Sequence, residues 1–166
     1  MVQRISIPTK HGSFTATFSE KGLARLEFPE RSPKTVKPST TTPGSSDRPW
    51  AELTKIAVHA VLAGKPLGIL PPLDLDSGTE FQVKVWNAMT KIPMGKTQSY
   101  SEIAARVRRA KAARAVGNAC GANPIPLLVP CHRVLAAGGK LGGFGGGLDW
   151  KKRLLSAEGH TAFGER

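Results

Sequence analysis

The chain has 166 residues, with 24 Lys and Arg against 12 Asp and Glu, for a formal net charge of +12. That length can bury a genuine core, as one domain or as a small domain joined to a slightly larger one. The charge favours a polyanionic partner, with nucleic acid ahead of an acidic membrane surface. No apolar run is long enough to span a bilayer, and the start, Met1 to Ser6, has no apolar leader pattern; a soluble, cytoplasmic protein is expected, with no membrane partner.

Three stretches open the chain with period-two alternation: Ile5 and Ile7; then Phe14, Ala16 and Phe18; then Ala24, Leu26 and Phe28. Lys10-His11-Gly12 and Glu20-Lys21-Gly22 separate them as turns, so an antiparallel meander is expected, a scaffold without chemistry. From Pro29 to Pro49 the composition turns to Ser, Thr and Pro, which reads as a long surface loop. Trp50 to Ala63 then reads as a helix with Leu53, Ile56, Ala57, Ala60 and Val61 on one stripe, stopped by Gly64. The proline-containing stretch from Leu67 to Ser77 marks a boundary between residues 1–76 and 77–166.

Thr79 with Gln82 forms a capping box, followed by Phe81, Val85, Ala88, Met89 and Ile92 at helical spacing. Ser99 with Glu102 opens a second, short helix after Pro93-Met94-Gly95, and a third runs from about Lys111 to Ala119. Two short helices joined by a tight turn carrying Arg106, Arg108, Arg109, Lys111 and Arg114 suggest a helix-turn-helix. Ala112, Ala113, Ala115, Gly117 and Ala119 are too small to read base edges. They suit close approach to a narrow groove and sequence-independent binding, with Arg114 the one long side chain available as a wedge.

Leu127-Leu128-Val129 reads as a short buried strand leading to Pro130-Cys131-His132-Arg133-Val134. A cysteine beside a histidine is either an activated nucleophile or an inert buried thiol with a locally bonded imidazole. The second cysteine, Cys120, and the scattered histidines at 11, 59, 132 and 160 offer no zinc-ligand spacing, so no metal is expected. The glycine-heavy run from Gly138 to Gly147 lacks the Lys-Ser or Lys-Thr of a phosphate loop and reads as a lid over a flat ligand. A last helix, about Leu148 to Ala157, ends at Glu158-Gly159. A carboxylate at that end opposes the helix dipole, at a cost of up to about 1 kcal/mol, which a partner such as His132 would explain.

Together these residues resemble the O6-alkylguanine-DNA alkyltransferases, from about Gly78 to Gly159. The ordered series is Gly78-Thr79-Glu80-Phe81-Gln82, Ile92-Pro93, Ser99-Tyr100, Lys111 to Gly117, Asn123-Pro124, Pro130 to Val134, Gly146-Gly147-Leu148 and Glu158-Gly159. The resemblance implies an α/β (α+β) fold, a small ribonuclease-H-like antiparallel sheet plus helix followed by a mainly helical domain with a helix-turn-helix. It implies direct reversal of DNA damage: a methyl or other alkyl group on guanine O6, and also on thymine O4, passes irreversibly to Cys131 after base flipping, once per protein molecule. Glu158 would orient His132, which would deprotonate Cys131 through a water, and Tyr100 would serve the departing guanine. Asn123 would be the hinge beside the active site.

The same resemblance places Arg114, Ala115, Lys111, Ala113 and Arg133 at double-stranded DNA, on the minor-groove side, with Arg109 of the basic turn beside them, and Val134, Phe144, Gly145 and Gly146 around the extruded base. It implies a monomer without cofactor and leaves cooperative binding along DNA open; some members bind zinc in the amino-terminal domain, but that domain has no cysteine here, so no zinc is expected. Arg108-Arg109-Ala110 stands where many members have Gly-Asn-Pro, a departure expected to alter the turn and add phosphate contacts. Cys120 is expected to be a small packed residue under the recognition helix. Relatives that bind lesions without repairing them lack the cysteine that this chain has at Cys131.

Overall fold

In the computed structural model, which describes residues 3–31 and 49–160, the first three strands form an antiparallel meander in the order β1-β2-β3. They span Gln3–Thr9, Gly12–Phe18 and Leu23–Glu27. Ile7 pairs with Phe14 and Ala16 with Leu26, so the alternating apolar residues share one buried face. A bulge between Thr17 and Phe18 sets Leu23 opposite Phe18 and turns Leu23 inward, so the third strand departs from strict alternation. The expected Ser/Thr/Pro loop lies, over positions 32–48, outside the described residues.

Helix α1, Trp50–Leu62, buries Thr54, Ala57, Val58 and Val61. The expected stripe is therefore rotated: Ile56 stays 61% exposed, and Val58 takes the inward place. Thr54 can sit inside because its hydroxyl donates to the Trp50 carbonyl at 2.7 Å.

The capping boxes form as read. Thr79 and Gln82 open α2, Glu80–Thr90, and Ser99 and Glu102 open α3, Tyr100–Arg106, each with both reciprocal hydrogen bonds. Trp86 is buried in the core, and its indole N–H donates to the Ala119 carbonyl at 2.8 Å, tying α2 to α4, Ala113–Gly121. A two-stranded parallel sheet not evident in the sequence joins β4, Gln98–Ser99, to β5, Val134–Leu135. It draws the start of α3 to the chain just beyond the cysteine motif. The last helix, α5, spans Leu148–Ala157, and Gly159 follows at φ +93°, a left-handed stop suited to glycine.

The expected strand at Leu127-Leu128-Val129 is absent. These residues form a buried turn in which Val129 N–H bonds the Ile125 carbonyl at 2.9 Å and Leu127 adopts φ +72°. Two prolines, Pro124 and Pro126, set the turn, and complete burial of an apolar run is compatible with either geometry.

Candidate active site

Cys131 begins a single 3₁₀ turn, Cys131–Arg133, between that buried loop and β5. Cys131, His132 and Arg133 are all buried, His132 completely. Burial pushes the Cys131 thiol above its ordinary range, while a hydrogen bond from Asn123 and the nearby Lys151 ammonium act the other way. The thiol is accordingly neutral at rest.

His132 Nε2 lies 3.0 Å from Glu158 Oε1. Burial lowers the imidazole's pKa against the opposing pull of Glu158, so the ring is neutral at pH 7. Burial would raise the Glu158 carboxyl, but the hydrogen bonds from His132 and Arg133 outweigh it and hold the group at about 2. An ionised Glu158 takes the Nε2 proton as its hydrogen bond, which leaves Nδ1 with a lone pair. Among the described residues that buried Nδ1 has no hydrogen-bond partner. Glu158 also receives Arg133 Nε at 3.0 Å on each oxygen and an Arg133 terminal nitrogen at 2.7 Å.

Arg133 was expected at DNA, and the structure corrects this. It is 7% exposed, and its remaining terminal nitrogen donates to the Ile92 carbonyl at 2.7 Å. The guanidinium is committed to Glu158 inside the protein. Val134, expected in the pocket wall, is instead fully buried, does not line the cavity, and is anchored through its carbonyl by Lys151.

Lys151 was not singled out in the sequence, yet it is 1% exposed. Its ammonium donates to the Val134 carbonyl at 2.8 Å, to the Gly143 carbonyl at 3.5 Å and to the Leu141 carbonyl. Three backbone oxygens solvate a buried charge and fasten the glycine-rich segment to β5. The signal lay in helical spacing: Leu148, Lys151, Leu154 and Leu155 fall on one face of α5.

Asn123 spans the buried turn, donating through Nδ2 to the Val129 carbonyl at 2.8 Å and accepting the Ile125 N–H at 2.9 Å. Tyr100 begins α3 and is half-buried; burial raises its pKa, while the Gly143 N–H bonds its oxygen. A Cβ at Gly117 would lie 3.7 Å from its ring, and one at Gly142 would lie 2.7 Å from its hydroxyl. The phenol is thus held between α4 and the glycine-rich segment and stays protonated, able to donate.

A cavity of about 140 Å³ opens at Cys131, walled by Phe144, Gly145, Gly146, Asn123 and Pro126, with Cys120 and Gly121 from the end of α4. Leu26 and Phe28 line it too, so the amino-terminal sheet does more than support the rest. Cys120 belongs to α4 itself rather than lying beneath it, and burial pushes its thiol up to about 12. At the other end of α4, Arg114 and Ala115 are exposed, Ala113 is partly buried, and Arg109 and Lys111 project from the preceding turn because the helix starts at Ala113 rather than Lys111. Arg114 and Gly121 are seven residues apart, which puts roughly 10 Å of helix between the arginine and the cavity wall.

Residues 80–160 match the family model described as 6-O-methylguanine DNA methyltransferase, DNA binding domain. The chain is 40% identical over 158 residues to a methylated-DNA--protein-cysteine methyltransferase of Mycolicibacterium paratuberculosis, covering 95% of this chain and 93% of that protein. The crystal structure of the Mycobacterium tuberculosis O6-methylguanine methyltransferase superposes with a TM-score of 0.76 at 40% identity, covering 95% of this chain and 93% of the other. A structure of Mycobacterium tuberculosis OGT in complex with DNA superposes at 0.75, with 37% identity and coverage of 93% and 91%. With its cysteine at a cavity, the adjacent histidine bonded to a buried glutamate, and its similarity running through nearly the whole length, the chain belongs to the methylated-DNA–protein-cysteine methyltransferase family.

Proposed function

We propose that this chain repairs O6-alkylguanine in double-stranded DNA by moving the alkyl group onto Cys131, one turnover per molecule. The observation that carries the reading is a buried thiol at the cavity, followed directly in the chain by an imidazole whose Nε2 is held by an ionised Glu158 while its Nδ1 has no partner among the described residues. The Cys131 sulfur forms a bond to the alkyl carbon as the carbon–O6 bond breaks and its electron pair returns to the purine. The thiol proton goes to His132 Nδ1, directly or through one water, and Glu158 stabilises the imidazolium that results. Tyr100, kept protonated by burial, donates to the departing purine and so neutralises it. The product thioether is stable, and nothing in the site regenerates the thiol.

An alkylated base inside a duplex cannot reach a buried sulfur, so it is flipped out, at a cost of a few kcal/mol. Exposed Arg114 enters the stack from the minor-groove side, small Ala113 and Ala115 allow α4 to come close, and Arg109 and Lys111 bind phosphates without reading sequence. DNA as partner is supported by the DNA complex of the related Mycobacterium tuberculosis protein. The extruded guanine lies against Phe144 with the backbone of Gly145 and Gly146 along its edge. O4-alkylthymine is a second substrate, and the protein acts as a monomer without cofactor. No helix among the described residues is long and apolar enough to cross a membrane, in keeping with action at DNA in the cytoplasm.

The test is the intact mass of the protein after incubation with an O6-methylguanine duplex. The expected result is a gain of one methyl group located on Cys131, none in Cys131→Ser, and no further product with excess DNA. An unchanged mass overturns the transfer; repeated turnover points to a thiol hydrolase.

A further inference from the structure

The amino-terminal sheet supplies part of the cavity wall. Leu26, in β3, and Phe28, just past its end, line the same space as Cys131. Their position is fixed from two sides. Leu26 N–H donates to the Pro124 carbonyl at 2.9 Å, which ties β3 to the turn that Asn123 organises. The Phe28 ring is held by three others: Trp150 of α5 at 5.2 Å between centroids, Phe14 of β2 at 5.5 Å and Phe144 at 5.7 Å. Such tilted and edge-on packing fixes a ring's orientation as well as burying it.

Phe28 also limits the segment opposite. A Cβ built on Gly146 would come within 2.8 Å of its ring, so the backbone at Gly146 lies directly against Phe28. The volume of about 140 Å³ is close to that of an engineered cavity that holds one benzene ring. A purine's polar edge calls for hydrogen-bonding groups, whereas the substituent on O6 is apolar and must meet the sulfur. Apart from the cysteines, the apolar side chains around that space are Leu26, Phe28, Pro126 and Phe144.

We propose that Phe28 is a specificity-determining residue: its ring, immobilised by Phe14, Trp150 and Phe144, is the wall that limits the size of the O6 substituent delivered to Cys131. This rests on the alkyl-transfer reading above and assigns the amino-terminal sheet a part in substrate choice. Methyl fits within the wall, and a second aromatic ring on O6 collides with it.

The experiment compares single-turnover transfer from an O6-methylguanine duplex and an O6-benzylguanine duplex by wild type, Phe28→Ala and Phe28→Leu, with melting curves for each. Removing a wall should change discrimination by about tenfold or more, the scale set by small steric differences in apolar pockets. The benzyl-to-methyl rate ratio is expected to rise by that factor in Phe28→Ala and by a smaller factor in Phe28→Leu. Phe28→Leu decides alone if the alanine variant does not fold. Phe18→Leu, on the buried face of the same sheet but off the cavity and not among the rings against Phe28, should lower the melting temperature and leave the ratio unmoved. Equal changes in both rates in the Phe28 variants, or the same ratio shift in Phe18→Leu, overturn the assignment. A wild type that accepts an alkyl group from neither duplex overturns the transfer reading itself.

Discussion

Arg133 grips Glu158 through three hydrogen bonds, from Nε to both carboxylate oxygens at 3.0 Å and from a terminal nitrogen to Oε1 at 2.7 Å. The carboxylate that holds His132 is thus itself held, at the end of a helix whose dipole disfavours it. Charge-assisted, near-bidentate geometry of this kind fixes direction as much as it contributes energy.

Arg133→Ala leaves Glu158 buried with only His132 as partner, and breaking a buried pair costs about 3 to 5 kcal/mol. Denaturant melts should show a loss of that size, and alkyl transfer should slow with the relay. Its salt dependence of DNA binding should match wild type, because the side chain lies inside. Arg114→Ala is expected to do the reverse, with stability retained and duplex repair slowed.

The pH profile of transfer follows from two opposed shifts. Burial lowers His132 below its ordinary 6.5, so the base is already neutral at that pH and activity falls only at more acid values. Burial raises the Cys131 thiol above 9.0, so no alkaline rise through thiolate formation occurs below that. Single-turnover rates should therefore be level from about pH 6.5 to 9; a rise centred near 8 would contradict a neutral resting thiol. Stability has its own acid limb. Glu158 is depressed from 4.5 to about 2, so its contribution is complete above the unfolded value and is lost as pH falls from about 4.5 through 2. Melts of Glu158→Gln should lack that limb.

Lys151→Met removes a buried ammonium and leaves the carbonyls of Val134, Leu141 and Gly143 without their shared donor. Each orphaned buried acceptor costs on the order of 1 kcal/mol or more. The expected outcome is a loss of roughly 2 to 4 kcal/mol in denaturant titration, by that rule. Limited proteolysis should cut first within residues 138–147, where the fastening is lost.

Arg108 adopts φ +59°, the left-handed region, where the family resemblance leads one to look for glycine. A side chain there costs about 1 to 2 kcal/mol, part of which glycine returns as extra freedom of the unfolded chain. Arg108→Gly should raise stability by roughly 0.5 to 1 kcal/mol on that balance and weaken DNA binding modestly at low salt. A destabilised glycine variant would mean that the arginine makes contacts that outweigh its backbone strain.

Local chemistry was readable without coordinates. The capping boxes at Thr79 and Ser99, the meander, the stop at Gly159 and the helix-turn-helix are set by neighbours in the chain, and they form as the sequence suggests. The motif at Cys131 and the misplaced carboxylate of Glu158 could both be named, because each breaks a local rule. What the chain alone left undecided depends on residues far apart in it. Burial of 127–129 is compatible with strand or turn, and only the prolines and Asn123 in three dimensions select the turn. A basic residue beside the cysteine of a DNA-repair motif reads as a DNA contact, until a partner 25 positions away claims Arg133 for the interior. Lys151 looks like any surface lysine unless one sees the three carbonyls around it, and Phe28 looks like scaffold until β3 is placed against the cavity. Periodicity reports which face of an element is apolar; which charges that face can accommodate is decided by the groups that other elements bring to it.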